Sequence, residues 1–156
     1  MKRQQILEKI DGAWHDFVDS FTGLSESEML QAGVTGEWSV KDIIAHVNTW
    51  EEEALKYLPE ILKGTRLPRY SAMYGGIDSF NALMTEQKRT LTLSETLARL
   101  LDTHDKLIAY LQKIPDEEFR SGSRILKRIQ WDTYTHYPMH SQAIRAWRES
   151  LFKKNS

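Results

Sequence analysis

Two histidines near the end of the chain, His136 and His140, have the spacing of a metal-binding pair. Residues four positions apart on an α-helix have Cβ atoms about 6 Å from each other, so their two imidazoles can reach one ion. The His-x3-His spacing recurs at metal sites for this reason. The opposing interpretation is a pair of buried histidines satisfied by hydrogen bonds, and the spacing alone leaves both open.

Helical geometry directs both side chains towards the protein interior. At about 100° per residue, His136 and His140 fall within roughly 60° of Ile129, on the apolar stripe of the last predicted helix. Thr133 lies on the same stripe and is a candidate pocket residue. Because buried imidazoles are costly unless something uses their nitrogens, this placement gives the ligand interpretation equal weight with the satisfied pair.

A third imidazole can come from an earlier helix, because His46 lies on the flank of the apolar stripe that contains Ile43. A lone histidine at the edge of a stripe is more often structural. If His46 faces the last helix across the core, it completes three nitrogens and leaves one position open, as in catalytic zinc sites. Trp50 shares that flank and is a second candidate pocket residue.

Three further polar residues could belong to such a site. His104 lies near the centre of the third long stripe, as a fourth ligand, a pocket residue or a core histidine satisfied by its neighbours. Glu53 and Asp132 are candidate proton acceptors, and Asp132 could also orient His136 from one turn earlier. The more ordinary interpretation of Asp132 is a solvated residue on the helix flank.

Pro138 stands between the two histidines of the pair. It has no backbone N–H, and inside a helix its ring crowds the carbonyl of Tyr134. We therefore expect a kink or bulge in the last helix beside the pair. Such a kink is either a packing feature or a device that aims the imidazoles.

The composition limits the kinds of protein that this chain can form. Its 156 residues suit one domain, residues 1–156, with its own core. Because the chain has no cysteine, a metal site must use His, Asp or Glu, and any thiol must be a cosubstrate. The formal net charge of −1 argues against a nucleic-acid partner. No apolar run is long enough to span a bilayer, so we expect no membrane partner and a cytoplasmic location.

Helical periodicity dominates the chain, and no strand pattern competes with it. Three capping boxes mark helix starts: Ser25 with Glu28, Ser39 with Asp42, and Thr92 with Glu95. Helices are predicted over about 2–21, after Ser25, after Ser39 to about 62, over 79–89, after Thr92 to about 114, and from about Arg124 to Phe152. The expected fold is all-α, a four-helix bundle with a long crossover, residues 64–78, between helices 2 and 3.

Two segments of the chain together resemble the signatures of the DinB/YfiT-like four-helix bundles. GEWSVKDIIAHVNTWEEE resembles the start of their second helix, where Trp-Ser-x-x-Asp precedes a histidine. TYTHYPMHSQAIRAW resembles their last helix, which carries the His-x3-His pair. GGIDSFNAL resembles the ClbS/DfsB-like subgroup. The resemblance covers nearly the whole chain.

This resemblance implies a metal triad of His46, His136 and His140 that binds a divalent ion, usually zinc or nickel. It also implies a homodimer, and it implies no DNA binding, although the family name comes from DNA damage. Some metal-binding relatives act on small molecules with low-molecular-weight thiols such as bacillithiol or mycothiol. Some ClbS-like relatives protect the cell by hydrolysing a reactive compound, and that branch can lack the histidines.

Three functions are consistent with these residues. The first is a metal-dependent enzyme acting on a small-molecule substrate by hydrolysis or thiol-dependent transfer, with Trp50, Glu53, His104 and Thr133 lining the pocket. The second is a protein that binds or sequesters a toxic compound or a metal without turnover. The third is a structural bundle with a vestigial site. The first requires a bound metal and an opening to solvent.

Overall fold

The computed structural model describes residues 2–154, and within this range the regular secondary structure is helical, with no strand. The helices are α1 Lys2–Phe21, α2 Glu26–Met29, α3 Val40–Leu62, α4 Tyr70–Tyr74, α5 Ile77–Lys88, α6 Leu93–Leu111, a short 3-10 helix Asp116–Phe119, α7 Arg124–Asp132 and α8 Tyr137–Lys154. None of the helices in this range is long and apolar enough to cross a membrane.

The long helices form the predicted four-helix bundle. Helix α3 packs against α6 and α7, and α1 packs against α8. Each of these layers contributes fully buried apolar side chains, for example Phe17, Ile43, Leu107 and Ile144. The connection from α3 to α6 contains the predicted crossover, residues 64–78, and α5 begins at its end and packs back against α3.

All three predicted capping boxes are formed. At the start of α3, Ser39 Oγ accepts a hydrogen bond from the Asp42 N–H at 3.1 Å, and Asp42 Oδ2 accepts one from the Ser39 N–H at 3.1 Å. Such a cap contributes about 1 kcal/mol and fixes where a helix begins. The box therefore fixes the register of His46, which lies two turns further along α3.

The last helix departs from the prediction, because it is two helices. Helix α7 ends at Asp132, and α8 begins only at Tyr137. At Thr133 the backbone leaves the helical region, with φ −127° and ψ −101°. Pro138 is the second residue of α8, where the first turn needs no N–H donor. The predicted break beside the histidine pair is therefore present, but it precedes Pro138, which does not interrupt a helix interior.

The crossover is more ordered than a loop. Residues 64–78 contain the one-turn helix α4, which ends at Gly75 with φ 81°, a left-handed conformation that glycine adopts without strain. Helix α5 begins two residues later, at Ile77. Upstream, Pro59 lies inside α3 without ending it, and α3 continues to Leu62.

Candidate metal centre

The three predicted ligands meet where α3 faces the break between α7 and α8. Nε2 of His136 lies 3.0 Å from Nε2 of His46 and 3.0 Å from Nε2 of His140. The ligand atoms of the three residues all lie within 4.8 Å of one another. A tetrahedral zinc ion about 2.0–2.1 Å from each nitrogen holds two of them roughly 3.3 Å apart. The two Nε2 distances from His136 are therefore close to this spacing, and the group of three could hold a single ion.

The helix break itself positions the pair on the last helix. The Thr133 carbonyl accepts hydrogen bonds from the N–H groups of His136, at 2.8 Å, and Tyr137, at 2.9 Å. These bonds turn the chain at the end of α7 and start α8 with His136 immediately before it. His136 and His140 therefore keep the one-turn spacing that the sequence predicted, although no continuous helix joins them to Ile129.

Burial keeps the three imidazoles neutral. His46 and His140 are 5% and 8% exposed, and His136 is partly buried. Burial lowers the pKa of His46 to about 2, with a smaller contribution from the neighbouring His136. It lowers the pKa of His136 to about 3 and that of His140 to about 4. At pH 7 all three can therefore offer lone pairs to a cation.

The outer support of these histidines is incomplete. A metal-ligating histidine usually donates its second ring N–H to a carboxylate, a carbonyl or water. Among the described residues, the buried Nδ1 atoms of His46 and His136 have no hydrogen-bond partner. The cluster therefore fits a metal ion at Nε2 without the protein contacts that usually orient the rings.

A cavity of about 410 Å³ opens in front of the three histidines. This size is within the range of small-molecule sites. Its other walls include Trp38, Trp50, Asn81, Trp131 and Met139. The Trp50 indole N–H donates to Asn81 Oδ1 at 2.9 Å, and Trp131 and Met139 are 59% and 64% exposed. The converging nitrogens are therefore reached from an opening with aromatic walls.

Of the predicted pocket residues, Trp50 lines this cavity, and Glu53, His104 and Thr133 do not. Thr133 is fully buried, and its hydroxyl donates to the Ile129 carbonyl. Glu53 accepts a hydrogen bond from the Tyr70 hydroxyl at 3.1 Å. Thr133 thus acts on the site through its backbone, which places His136.

His104 belongs to a separate polar cluster in the core. Its Nδ1 lies 2.7 Å from Glu51 Oε2, and its ring stacks on Trp14 with centroids 3.6 Å apart. The Tyr137 hydroxyl donates to the same Glu51 oxygen at 3.1 Å. Burial raises the pKa of the Glu51 carboxyl, which is 0% exposed. These contacts agree with the interpretation of His104 as a satisfied core histidine.

Sequence reasoning missed Glu51. It opens the run of three glutamates, residues 51–53, which is typical of a solvated helix face. No sequence signal distinguished it from its neighbours, because its burial follows from packing on both sides of α3.

Asp132 is fully buried, which corrects its interpretation as a solvated flank residue. Arg128 Nε donates to Asp132 Oδ2 at 2.6 Å, and burial raises the pKa of Asp132 to about 7. The predicted contact that would orient His136 is not formed, because Asp132 Oδ1 and His136 Nδ1 both lack partners among the described residues.

The sequence profile of the DinB superfamily matches residues 9–147, a range that includes all three converging histidines. The chain therefore belongs to the DinB superfamily, as its two helix signatures predicted. Among curated proteins, no significant sequence match was found.

Solved structures share the fold at low identity. One is described as "Sibling Lethal Factor Precursor - DfsB", with TM-score 0.80, 15% identity, and 96% of each chain covered. Another is the colibactin self-resistance protein ClbS in complex with a dsDNA, with TM-score 0.80, 13% identity, and 94% of this chain and 95% of that chain covered. A Streptococcus pneumoniae protein has TM-score 0.78 and 16% identity, with 94% and 90% covered. The first two agree with the predicted ClbS/DfsB-like fold.

Proposed function

We propose that this protein is a divalent-metal-dependent enzyme that acts on a small molecule by hydrolysis or by thiol-dependent transfer. The observation that carries the proposal is the convergence of three neutral imidazole Nε2 atoms in a cavity open to solvent. Three protein ligands with an open position characterise catalytic zinc sites, whereas structural sites are closed by four. Imidazole suits zinc and nickel alike, and the family resemblance favours these two ions.

The chain's own residues would bind the metal ion and form the wall against which the substrate packs. When bound, a divalent ion supplies Lewis acidity and lowers the pKa of a water molecule or thiol that it binds. His46, His136 and His140 would hold the ion through Nε2. Trp38 and Trp50 would pack against an apolar part of the substrate and exclude water from that wall.

Neither of the two candidate proton acceptors would act at the reacting atoms. Glu53 and Asp132 do not line the cavity. Asp132 is already paired with Arg128, and Glu53 with the Tyr70 hydroxyl. A thiol reaction would also need a cosubstrate, because the chain has no cysteine.

A self-protection protein that binds a reactive compound without turnover is the second candidate. The fold shared with the colibactin self-resistance protein ClbS favours it. Such a protein needs the cavity and not the metal. The ClbS structure contains dsDNA, but the net charge of −1 gives this chain no overall basic excess for a phosphate backbone, so we propose a small-molecule partner.

The test is the metal content of protein produced without a polyhistidine tag. The wild type should contain close to one zinc or nickel ion per chain, and His136→Ala should contain none. The matched control is His15→Ala, because the His15 side chain is 71% exposed and outside the cluster, so its loss should leave the metal in place. Absence of metal from the wild type, even after incubation with zinc or nickel, would leave the self-protection protein or a structural bundle.

A further inference from the structure

A second cavity, of about 340 Å³, adjoins the cavity of the metal centre. Trp50, Ile77 and Trp131 line both, so the two cavities share a border. The wall of the second cavity differs in charge, because it contains three basic side chains and no acidic one among the described residues. The basic residues are Arg124, Lys127 and Arg128.

The three basic side chains share one face of a helix. Residues at positions i, i+3 and i+4 of an α-helix are neighbours on its surface, and all three lie on α7. Trp131 also lies on α7 and separates this face from the histidines. The positive charges are therefore arranged along the second cavity, on the side away from the metal centre.

Arg128 is held in place by the protein. Its side chain is 12% exposed, and its Nε donates to Asp132 Oδ2 at 2.6 Å. Its Nη2 donates to the Tyr70 hydroxyl at 2.9 Å. Within the described residues Nη1 has no hydrogen-bond partner. A rigidly held donor binds an anion at little cost in side-chain entropy.

Arg124 and Lys127 supply charge that the protein does not neutralise. In the described part of the chain neither forms a salt bridge, and both are exposed. Arg124 Nη2 is tethered by a hydrogen bond to the Thr65 carbonyl at 2.9 Å. Asp132 offsets the charge of Arg128, so the cavity wall keeps two uncompensated positive charges in a chain whose net charge is −1. Such a local field attracts anions.

We propose that this second cavity binds an acidic group of the substrate, a carboxylate or a phosphate. The planar or apolar body of the substrate would then cross the shared wall of Trp50 and Trp131 towards the three histidines. The substrate class is a small acidic molecule with an aromatic or apolar body. That the reacting group points towards the three histidines rests on the proposed function. The binding of the acidic group in the second cavity needs no metal.

The test compares 1-naphthylacetate with its neutral amide, 1-naphthylacetamide, by calorimetric titration of metal-free protein. The wild type should bind the acid about tenfold more tightly than the amide, the size expected of a charged hydrogen-bonded contact. The double variant Arg124→Gln, Lys127→Gln should reduce this preference to about twofold. The double variant Lys2→Gln, Lys113→Gln removes the same charge from exposed positions that do not line the cavity, and should keep it.

The failure of this inference is distinguishable from the failure of the metal centre. His136→Ala should keep the preference for the acid, since the subsite lies beyond Trp131. Equal binding of acid and amide by the wild type, no binding of either, or a preference that survives the loss of Arg124 and Lys127 would overturn the inference. A preference lost in His136→Ala alone would place the acid at the histidines, which also overturns it. The Lys127 side chain has no hydrogen bond among the described residues, so the single variant Lys127→Gln removes a positive charge from the cavity wall and breaks no side-chain bond there.

Discussion

This protein buries histidines in two neighbouring sites, and the two sites differ in the partners that surround the imidazoles. His104 is 7% exposed, and the protein provides partners for it: a carboxylate from Glu51 and the stacked ring of Trp14. His46 and His140 are buried to the same degree, at 5% and 8% exposed, but face His136 instead. Burial alone therefore does not separate a structural histidine from a candidate ligand. The chemical nature of the partner distinguishes the two kinds of histidine.

The difference has an energetic consequence. A buried polar group without a partner costs free energy, and an imidazole is a donor and an acceptor at once. Around His104 the protein supplies a carboxylate partner for Nδ1. Around the cluster of three it satisfies this need only where the Nε2 atoms meet, and two Nδ1 atoms have no partner among the described residues. We infer that the first site stabilises the fold, and that the second is completed by a cation.

The largest effect should come from removing the partner of His104. Glu51→Ala leaves His104 Nδ1 and the Tyr137 hydroxyl without an acceptor in the core, so we expect the free energy of unfolding to fall by about 3–5 kcal/mol. Urea denaturation of metal-free protein measures it. In the same assay, His140→Gln should lower the free energy of unfolding by about 1 kcal/mol or less. Among the described residues, His140 has no hydrogen bond to a carboxylate that the substitution would break. Equal losses in the two variants would contradict the distinction between the sites.

Zinc should stabilise a variant of the His104 site but not a variant of the three-histidine cluster. At about one hundred times its Kd, free zinc should raise the free energy of unfolding of the wild type by about 2.7 kcal/mol. The same increase is expected for His104→Gln, whose starting stability is lower. His140→Gln should show almost none, because one of the three nitrogens is missing. Thermal denaturation with buffered zinc gives all three values. A smaller zinc effect in His104→Gln than in the wild type would make His104 a ligand.

Acid should destabilise the metal-free protein through the three-histidine cluster. An unfolded histidine gains its proton below about pH 6.5, whereas burial lowers the highest of the three folded pKa values, that of His140, to about 4. The unfolded chain thus binds more protons in this window, so stability falls as the pH falls from about 6.5 towards 4. Each histidine contributes up to about 1.4 kcal/mol per pH unit.

The matched comparison is the double variant His136→Gln, His140→Gln, in which the free energy of unfolding should depend less steeply on pH. The buried Asp132, whose pKa is raised to about 7, acts with the opposite sign in the same window. It is present in both proteins and cancels in the difference. Slopes that agree between wild type and variant would show that the histidines titrate normally in the folded state.

The same contrast explains which features the sequence could predict. The capping boxes at Ser25, Ser39 and Thr92 depend on contacts within four residues, so their sequence signal was sufficient. The convergence of His46 with His136 was predicted on a continuous last helix, and it is present although that helix breaks at Thr133. The metal-ligand role of these histidines stays a prediction.

Other features depend on tertiary packing and have weak sequence signals. Asp132 was interpreted as a solvated acid and Glu51 was not singled out, because the local sequence does not indicate their buried partners Arg128 and His104. The break at Thr133 was hidden because the apolar spacing continues across it. The kink was expected from Pro138, whereas the backbone leaves the helical region at Thr133.

The smallest effect tests what sets the direction of His136. Because Pro138 lies in the first turn of α8, Pro138→Ala removes no strain from a helix interior, and stability should change by about 1 kcal/mol or less. Zinc affinity, measured by competition with a chelator, should stay within about threefold of the wild type. The Thr133 carbonyl, which accepts the His136 and Tyr137 N–H groups, would then be what turns the chain. A change of about tenfold or more would instead assign that role to the proline.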